Sequence, residues 1–175
     1  MGNRTINIKK PKGLPLSSDG FKKIRRGEIL HLTLSYIKTI DDLDNLPIFL
    51  KRALSFFQEK EHHWDIKKDF LKPLLEFFES PISKKIFSNK AKNIYIEKDI
   101  LKPNSVKVIR PDRCVVFEQY AIVVDFKTEE PVTSEIEDKY RKQIREYCDT
   151  VAKILNIPCY GYLVYLLKPS IRQVV

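Results

Sequence analysis

The stretch RPDRCVVFEQYAIVVDFKTEE, residues 110–130, decides how this chain is read. Its Val- and Ile-rich runs have the composition of strands, and the EQY tract between them is short enough to close a hairpin. The second run ends in Asp125-Phe126-Lys127. Residues two apart on a strand project to the same side, so the carboxylate and the ammonium share a face. Burying such a pair for stability alone gains little, because desolvation tends to cancel the Coulomb attraction. The arrangement calls for a third party, either a metal ion or a substrate phosphate.

Outward from this hairpin, the chain divides into a helical first half and a mixed second half. Ile24, Leu30, Leu34 and Ile37 recur at helical spacing from Phe21 onward. Residues 44–61 and 65–80 look like two further amphipathic helices, the second interrupted or started near Pro73. Residues 93–101, 106–117 and 120–128 each read as one strand. Ser134 and Glu137 carry a capping-box signature before a long helix striped by Ile136, Tyr140, Ile144, Tyr147, Val151 and Ile154 or Leu155. Residues 157–167 give a last strand, and the order of elements predicts a layered α/β domain.

The 175 residues fit one domain at 21–175, preceded by a basic linker or arm at 1–20. Residues 1–40 hold nine Lys or Arg against Asp19 and Glu28, a balance of +7 out of a net +9. Such asymmetry suits a polyanionic partner, and equally a solubilising or disordered basic tail. Cys114, Cys148 and Cys159 match neither a disulfide framework nor a Cys-x-x-Cys metal site, which predicts reduced, structural thiols. With no apolar run of membrane-spanning length and no signal-peptide pattern, a cytoplasmic location away from membranes is expected.

Pro111-Asp112 followed by Asp125-x-Lys127 fits the pattern PD…(D/E)xK. Two carboxylates at the ends of paired strands can hold a divalent cation through hard oxygen ligands. Such a cation polarises a phosphoryl oxygen and acidifies a bound water, and a neighbouring lysine can orient that water or offset charge on the phosphate. Gln143 and Tyr147 share a face of the following helix, and Gly27 lies one turn before His31 on the first. The other histidine-rich tract, EHHWD at 61–65, is not read as a site, since adjacent histidines on a helix diverge by about 100°. The pairs Phe56-Phe57 and Phe77-Phe78 read as core.

Together GEILH (27–31), YIEKDI (95–100), RPDR (110–113), VVDFKT (123–128) and YRKQIREYC (140–148) resemble, in order and spacing, the RecB-like nucleases of the PD-(D/E)xK superfamily. The likeness is to the C-terminal nuclease domain of RecB and AddA helicase–nucleases and runs from about Phe21 to Leu167. It implies a restriction-endonuclease-like core, a mixed β-sheet flanked by helices with an N-terminal helical extension. It also implies a Mg²⁺- or Mn²⁺-dependent deoxyribonuclease, acting on single-stranded or duplex DNA ends in repair and recombination beside a helicase motor. His31, Asp112, Asp125 and the carbonyl of Phe126 are the implied metal ligands, with Glu97 as the matching glutamate of the family's preceding strand. Lys127 is implied as the catalytic lysine, and Gln143 and Tyr147 as supporting or DNA-contacting groups.

Two departures stand out. Some relatives carry an iron–sulfur cluster on four cysteines, whereas the three here are placed differently, so no cluster is implied. Arg110-Pro111 also replaces the usual glycine near the second motif. The alternatives are a non-catalytic DNA-binding or assembly module of the same fold, and a free-standing endonuclease of the same superfamily.

Overall fold

The computed structural model describes residues 18–175 of the chain. Most of the basic arm expected at 1–20 therefore lies outside the described residues. Helix α1 (Ser18–Tyr36) begins three residues before Phe21 and buries Leu30 and Leu34, whereas Ile24 is 43% exposed. Helix α2 (Leu46–Phe56) carries Pro47 in its first turn, where the missing N–H costs nothing. The segment expected over 65–80 is interrupted: a π-helical turn at Lys67–Leu71 precedes α3 (Lys72–Glu79), which starts beside Pro73. A short α4 (Pro81–Ile86) follows, capped by the Ser80 hydroxyl. Nothing in its six residues has enough periodicity to announce it.

The second half forms a mixed sheet of five strands flanked by helices, in the order β1 (Asn93–Ile96), β4 (Arg113–Val116), β5 (Ala121–Lys127), β6 (Cys159–Tyr165) and β7 (Ser170–Gln173). The segment expected as one strand over 93–101 is two, β1 (Asn93–Ile96) and β2 (Ile100–Leu101). They are separated at Glu97, whose φ of 49° is left-handed and cannot continue a strand. The next segment likewise divides into β3 (Val108–Ile109) and β4 (Arg113–Val116) around Pro111, which has no N–H to offer a ladder. Strands β2 and β3 pair with each other as a small separate ribbon.

Strand β5 (Ala121–Lys127) pairs antiparallel with β4 through the expected hairpin, closed where Phe117 N–H donates to the Tyr120 carbonyl. Helix α5 (Ser134–Leu155) then crosses to β6 (Cys159–Tyr165), which lies parallel to β5, and β7 (Ser170–Gln173) adds an antiparallel edge that the sequence reading missed. The capping box expected at Ser134 does not form. Thr133 is the N-cap, its hydroxyl accepting from the Ile136 N–H. Helix α5 ends at Asn156, which adopts the left-handed conformation that Asn tolerates. Ile154 and Leu155 are exposed, so the apolar stripe stops at Val151.

The sheet separates two cores. Ile122, Val124 and Phe126 of β5 point into a cluster with α1–α4, while Ala121 and Val123 point toward α5. All three cysteines are free and buried, as expected. Phe77 and Phe78 are core, but Phe56 is 54% exposed. Among the described residues no helix is long and apolar enough to cross a membrane.

Candidate metal centre

Strand register builds the site. Asp125 and Lys127 continue the parity of Ala121 and Val123, so both project on the α5 face of β5. Arg113 pairs with Val124 on β5 and with Ile96 on β1. One residue further along the same registers, Glu97, Asp112 and Asp125 fall in a single row across β1, β4 and β5. The Glu97 N–H donates to the Asp112 carbonyl at 3.0 Å, extending the ladder by that one step. Like charges side by side across strands repel, and bound protons, the Lys127 ammonium or a metal ion can each relieve that repulsion.

Helix α1 brings the imidazole. A Cβ at Gly27 would overlap the Thr128 hydroxyl just beyond β5, so only glycine lets the helix approach the sheet this closely. His31, one turn on, thereby reaches the row, with Nδ1 3.7 Å from Asp112 Oδ2 and the ring edge-on to Phe126. Ligand atoms of His31, Glu97 and Asp112 all lie within 4.8 Å of one another, the one group among the described residues with such spacing. The histidines of the EHHWD tract form no such group.

The remaining groups each occupy a defined place. Asp112 Oδ2 accepts from the Phe126 N–H at 2.6 Å, which ties the carboxylate to the end of β5. In a strand the N–H and C=O of one residue point to the same side, so the Phe126 carbonyl also faces the Asp112 edge. Asp125 is 3% exposed, and its Oδ2 lies 2.5 Å from Lys127 Nζ. That contact lacks hydrogen-bond alignment, leaving Oδ2 buried with no hydrogen-bond partner. Lys127 Nζ also sits 4.3 Å from the centre of the Tyr140 ring, a contact hidden from a sequence reading that counted Tyr140 only as core. Gln143 donates to the Tyr147 hydroxyl at 2.5 Å on the inward face of α5.

The electrostatics express the crowding of negative charge. Burial and the charge of Asp125 push the Asp112 carboxyl well above the usual carboxylate range, against the opposing Phe126 N–H and Lys127. Glu97 is an exposed residue, but its carboxyl lines the crevice with His31 and Asp112. Partial burial and the Asp112 charge raise it to about 7. Burial lowers His31 despite the pull of Asp125 and Glu97, so the ring is neutral and ready to donate a lone pair. Tyr147 is raised by burial, with Asp125 and Asp112 adding to the rise, which places its hydroxyl in their field.

Of the residues singled out from sequence, the structure therefore gathers His31, Asp112, Phe126, Asp125 and Lys127 at one sheet end, with Gln143 and Tyr147 alongside. Glu97 stands with His31 and Asp112 in the tightest trio, and Asp125 lies outside that trio. Arg113, next to Asp112 in the chain, makes no ion pair with it and serves the fold instead. Arg113 is 1% exposed and donates to the carbonyls of Ile86, Ile37 and Lys38 while stacking on Phe87. The second half of the sequence supplies almost the whole centre, and α1 adds one histidine to it. No protein-family model matches the chain, and no curated protein matches it either.

Proposed function

We propose that this chain is a metal-dependent DNA nuclease built on a restriction-endonuclease-like core. The observation that carries the reading is the row Glu97, Asp112 and Asp125 at three adjacent strand ends, with Lys127 on the same face as Asp125 and His31 facing Asp112. The donor set fits a hard divalent ion: carboxylate oxygens, one neutral imidazole and a backbone carbonyl. The burial of Asp125, whose Oδ2 makes an ion pair with Lys127 but no aligned hydrogen bond, supports the fit, because a buried carboxylate oxygen left in that state gains from a further ligand. His31, Glu97, Asp112, Asp125 and the Phe126 carbonyl would hold Mg²⁺ or Mn²⁺.

Bound there, the ion supplies Lewis acidity at a phosphoryl oxygen and a more acidic water. The protein supplies the rest. Lys127, fixed between Asp125 and the Tyr140 ring, presents an ammonium where negative charge develops on the phosphate. The Phe126 N–H fixes one oxygen of Asp112 and so orients the other. The Gln143–Tyr147 pair holds a hydroxyl in the field of Asp112 and Asp125, suited to donate to a phosphate oxygen. The sequence resemblance favours an exonuclease module working beside a helicase motor in DNA end processing and repair.

The test is incubation with linear and circular DNA, single-stranded and duplex, with EDTA, Mg²⁺ or Mn²⁺. Cleavage is expected only with the metal, and Lys127→Ala and Asp125→Ala should each lower it by about two to three orders of magnitude. Full cleavage by either folded variant would overturn the reading.

A further inference from the structure

The proposed centre accounts for one face of α5; the adjacent face carries a second feature. A cleft of about 390 Å³ separates the outer face of α5 from the β2–β3 ribbon. The ribbon contributes Lys102 and Lys107, and the helix contributes Lys142, Arg145 and Lys153. Only Glu146 and Asp149 oppose them, and Glu146 is already engaged by both ribbon lysines, at 2.8 and 2.5 Å. Lys142, Arg145 and Lys153 are exposed and make no ion pair among the described residues. A concave surface carrying this excess of cations repels cations and concentrates anions.

Two observations tie the cleft to the proposed centre. On α5, Lys142 and Glu146 each precede by one residue the pair Gln143 and Tyr147, so the cleft stripe lies about 100° around the helix from the centre's stripe. On the other wall, the ribbon is the connection between two residues of the row: Lys102 lies five positions after Glu97, and Lys107 five before Asp112. Its base is rooted in the core by Ile109, 4% exposed, with Ile100 packed beside it. The Glu146 contacts clamp the ribbon onto the helix. Both walls therefore belong to elements that also carry the centre: the ribbon joins Glu97 to Asp112, and α5 carries Gln143 and Tyr147.

We propose that this cleft holds the phosphodiester backbone of the nucleic-acid strand next to the scissile linkage, as a phosphate track leading to the metal centre. The substrate class rests on the nuclease reading above. Spaced lysines and arginines on one helix face neutralise successive phosphates without reading bases, so the track is indifferent to sequence.

The test measures binding of a single-stranded oligonucleotide to the full chain by fluorescence anisotropy in EDTA across a salt series. The triple variant Lys142→Gln, Arg145→Gln, Lys153→Gln is compared with a control of equal charge, Lys51→Gln, Lys84→Gln, Lys85→Gln. The control residues are exposed on α2 and α4, across the sheet from α5. Loss of three phosphate contacts should reduce the log–log salt slope by about 2 units and weaken binding roughly tenfold or more, with the control unchanged. Equal slopes for the wild-type chain and the cleft variant, or equal losses in both variants, would overturn the track. Because binding is read without metal, the two proposals fail separately. A wild-type chain that cuts DNA while the cleft variant binds normally removes the track alone. Cleft-dependent binding with no cleavage in Mg²⁺ or Mn²⁺ removes the nuclease reading alone.

Discussion

Glu97 shows at the scale of one residue what a functional site does to a sequence. A non-glycine side chain in the left-handed region costs about 1–2 kcal/mol, and Glu97 sits there at φ 49° with its carboxyl beside Asp112 and His31. Neither feature helps the fold. Glycine removes the backbone penalty but adds unfolded-state entropy, so Glu97→Gly should stabilise the metal-free protein by about 0.5–1 kcal/mol. The same change should weaken Mn²⁺ binding, read as a smaller metal-dependent rise in melting temperature. A Glu97→Gly protein that is less stable and binds metal normally would make Glu97 a structural residue. The contrast with Asp125 and Lys127 explains what sequence reveals at this scale. Their shared face follows from a period of two and needs no knowledge of neighbours. The place of Glu97 needs the register of three strands and one unusual φ, neither of which is written locally.

Among the elements, the question is how helix α1, far away in sequence, comes to serve a site on the sheet. Two devices hold it there. Gly27 admits the Thr128 hydroxyl into van der Waals range, and Arg113 binds the carbonyls at 37 and 38, just past the end of the helix, and that of Ile86 at the end of α4. Arg113→Ala leaves three carbonyls without their cation and opens space against Phe87, so a loss of about 3 kcal/mol or more is expected in chemical denaturation. Arg113→Lys should recover little, since an ammonium cannot span the same fork. Gly27→Ala should cost about 1–3 kcal/mol by forcing the helix off β5, and Thr128→Ala should restore much of it by removing the obstructing hydroxyl. Strict additivity of the two changes would mean that the contact does not govern the docking. The helices α1, α2 and α5 and the β4–β5 hairpin were legible because their apolar periods are long or their turn is short. The divisions at Glu97 and Pro111, the edge strand β7 and the six-residue α4 were not, because single backbone angles and non-local pairing set them.

For the whole molecule, the carboxylate row couples metal binding to stability and pH. Glu97 is raised from 4.5 to about 7 and Asp112 is raised further, so the folded chain holds protons that the unfolded chain has already released. Stability without metal must then fall as pH rises from the ordinary carboxylate range through about 7, because the folded state binds more protons over that span. His31 acts oppositely. Its lowered value keeps the folded ring neutral, so it removes stability only below its ordinary 6.5, where the unfolded ring takes up a proton. Glu130, held low chiefly by the Ser170 hydroxyl, and Glu137, held low by hydrogen bonds from Arg172 and Arg141, lose their contribution only below 4.5. Above pH 6.5 the row acts alone among these groups. Thermal melts in EDTA should therefore show a melting temperature that declines from pH 6.5 to 8, and Asp112→Asn should flatten that decline and raise the value at pH 8. A divalent ion replaces the protons, so Mn²⁺ should raise the melting temperature strongly at pH 8 and little at pH 5, where protons compete for the same oxygens. Asp112→Asn should lose most of the Mn²⁺ response as well. If the metal-free protein instead grows steadily more stable from pH 6.5 to 8, Glu97 and Asp112 do not share one crowded, desolvated field and the proposed centre does not hold.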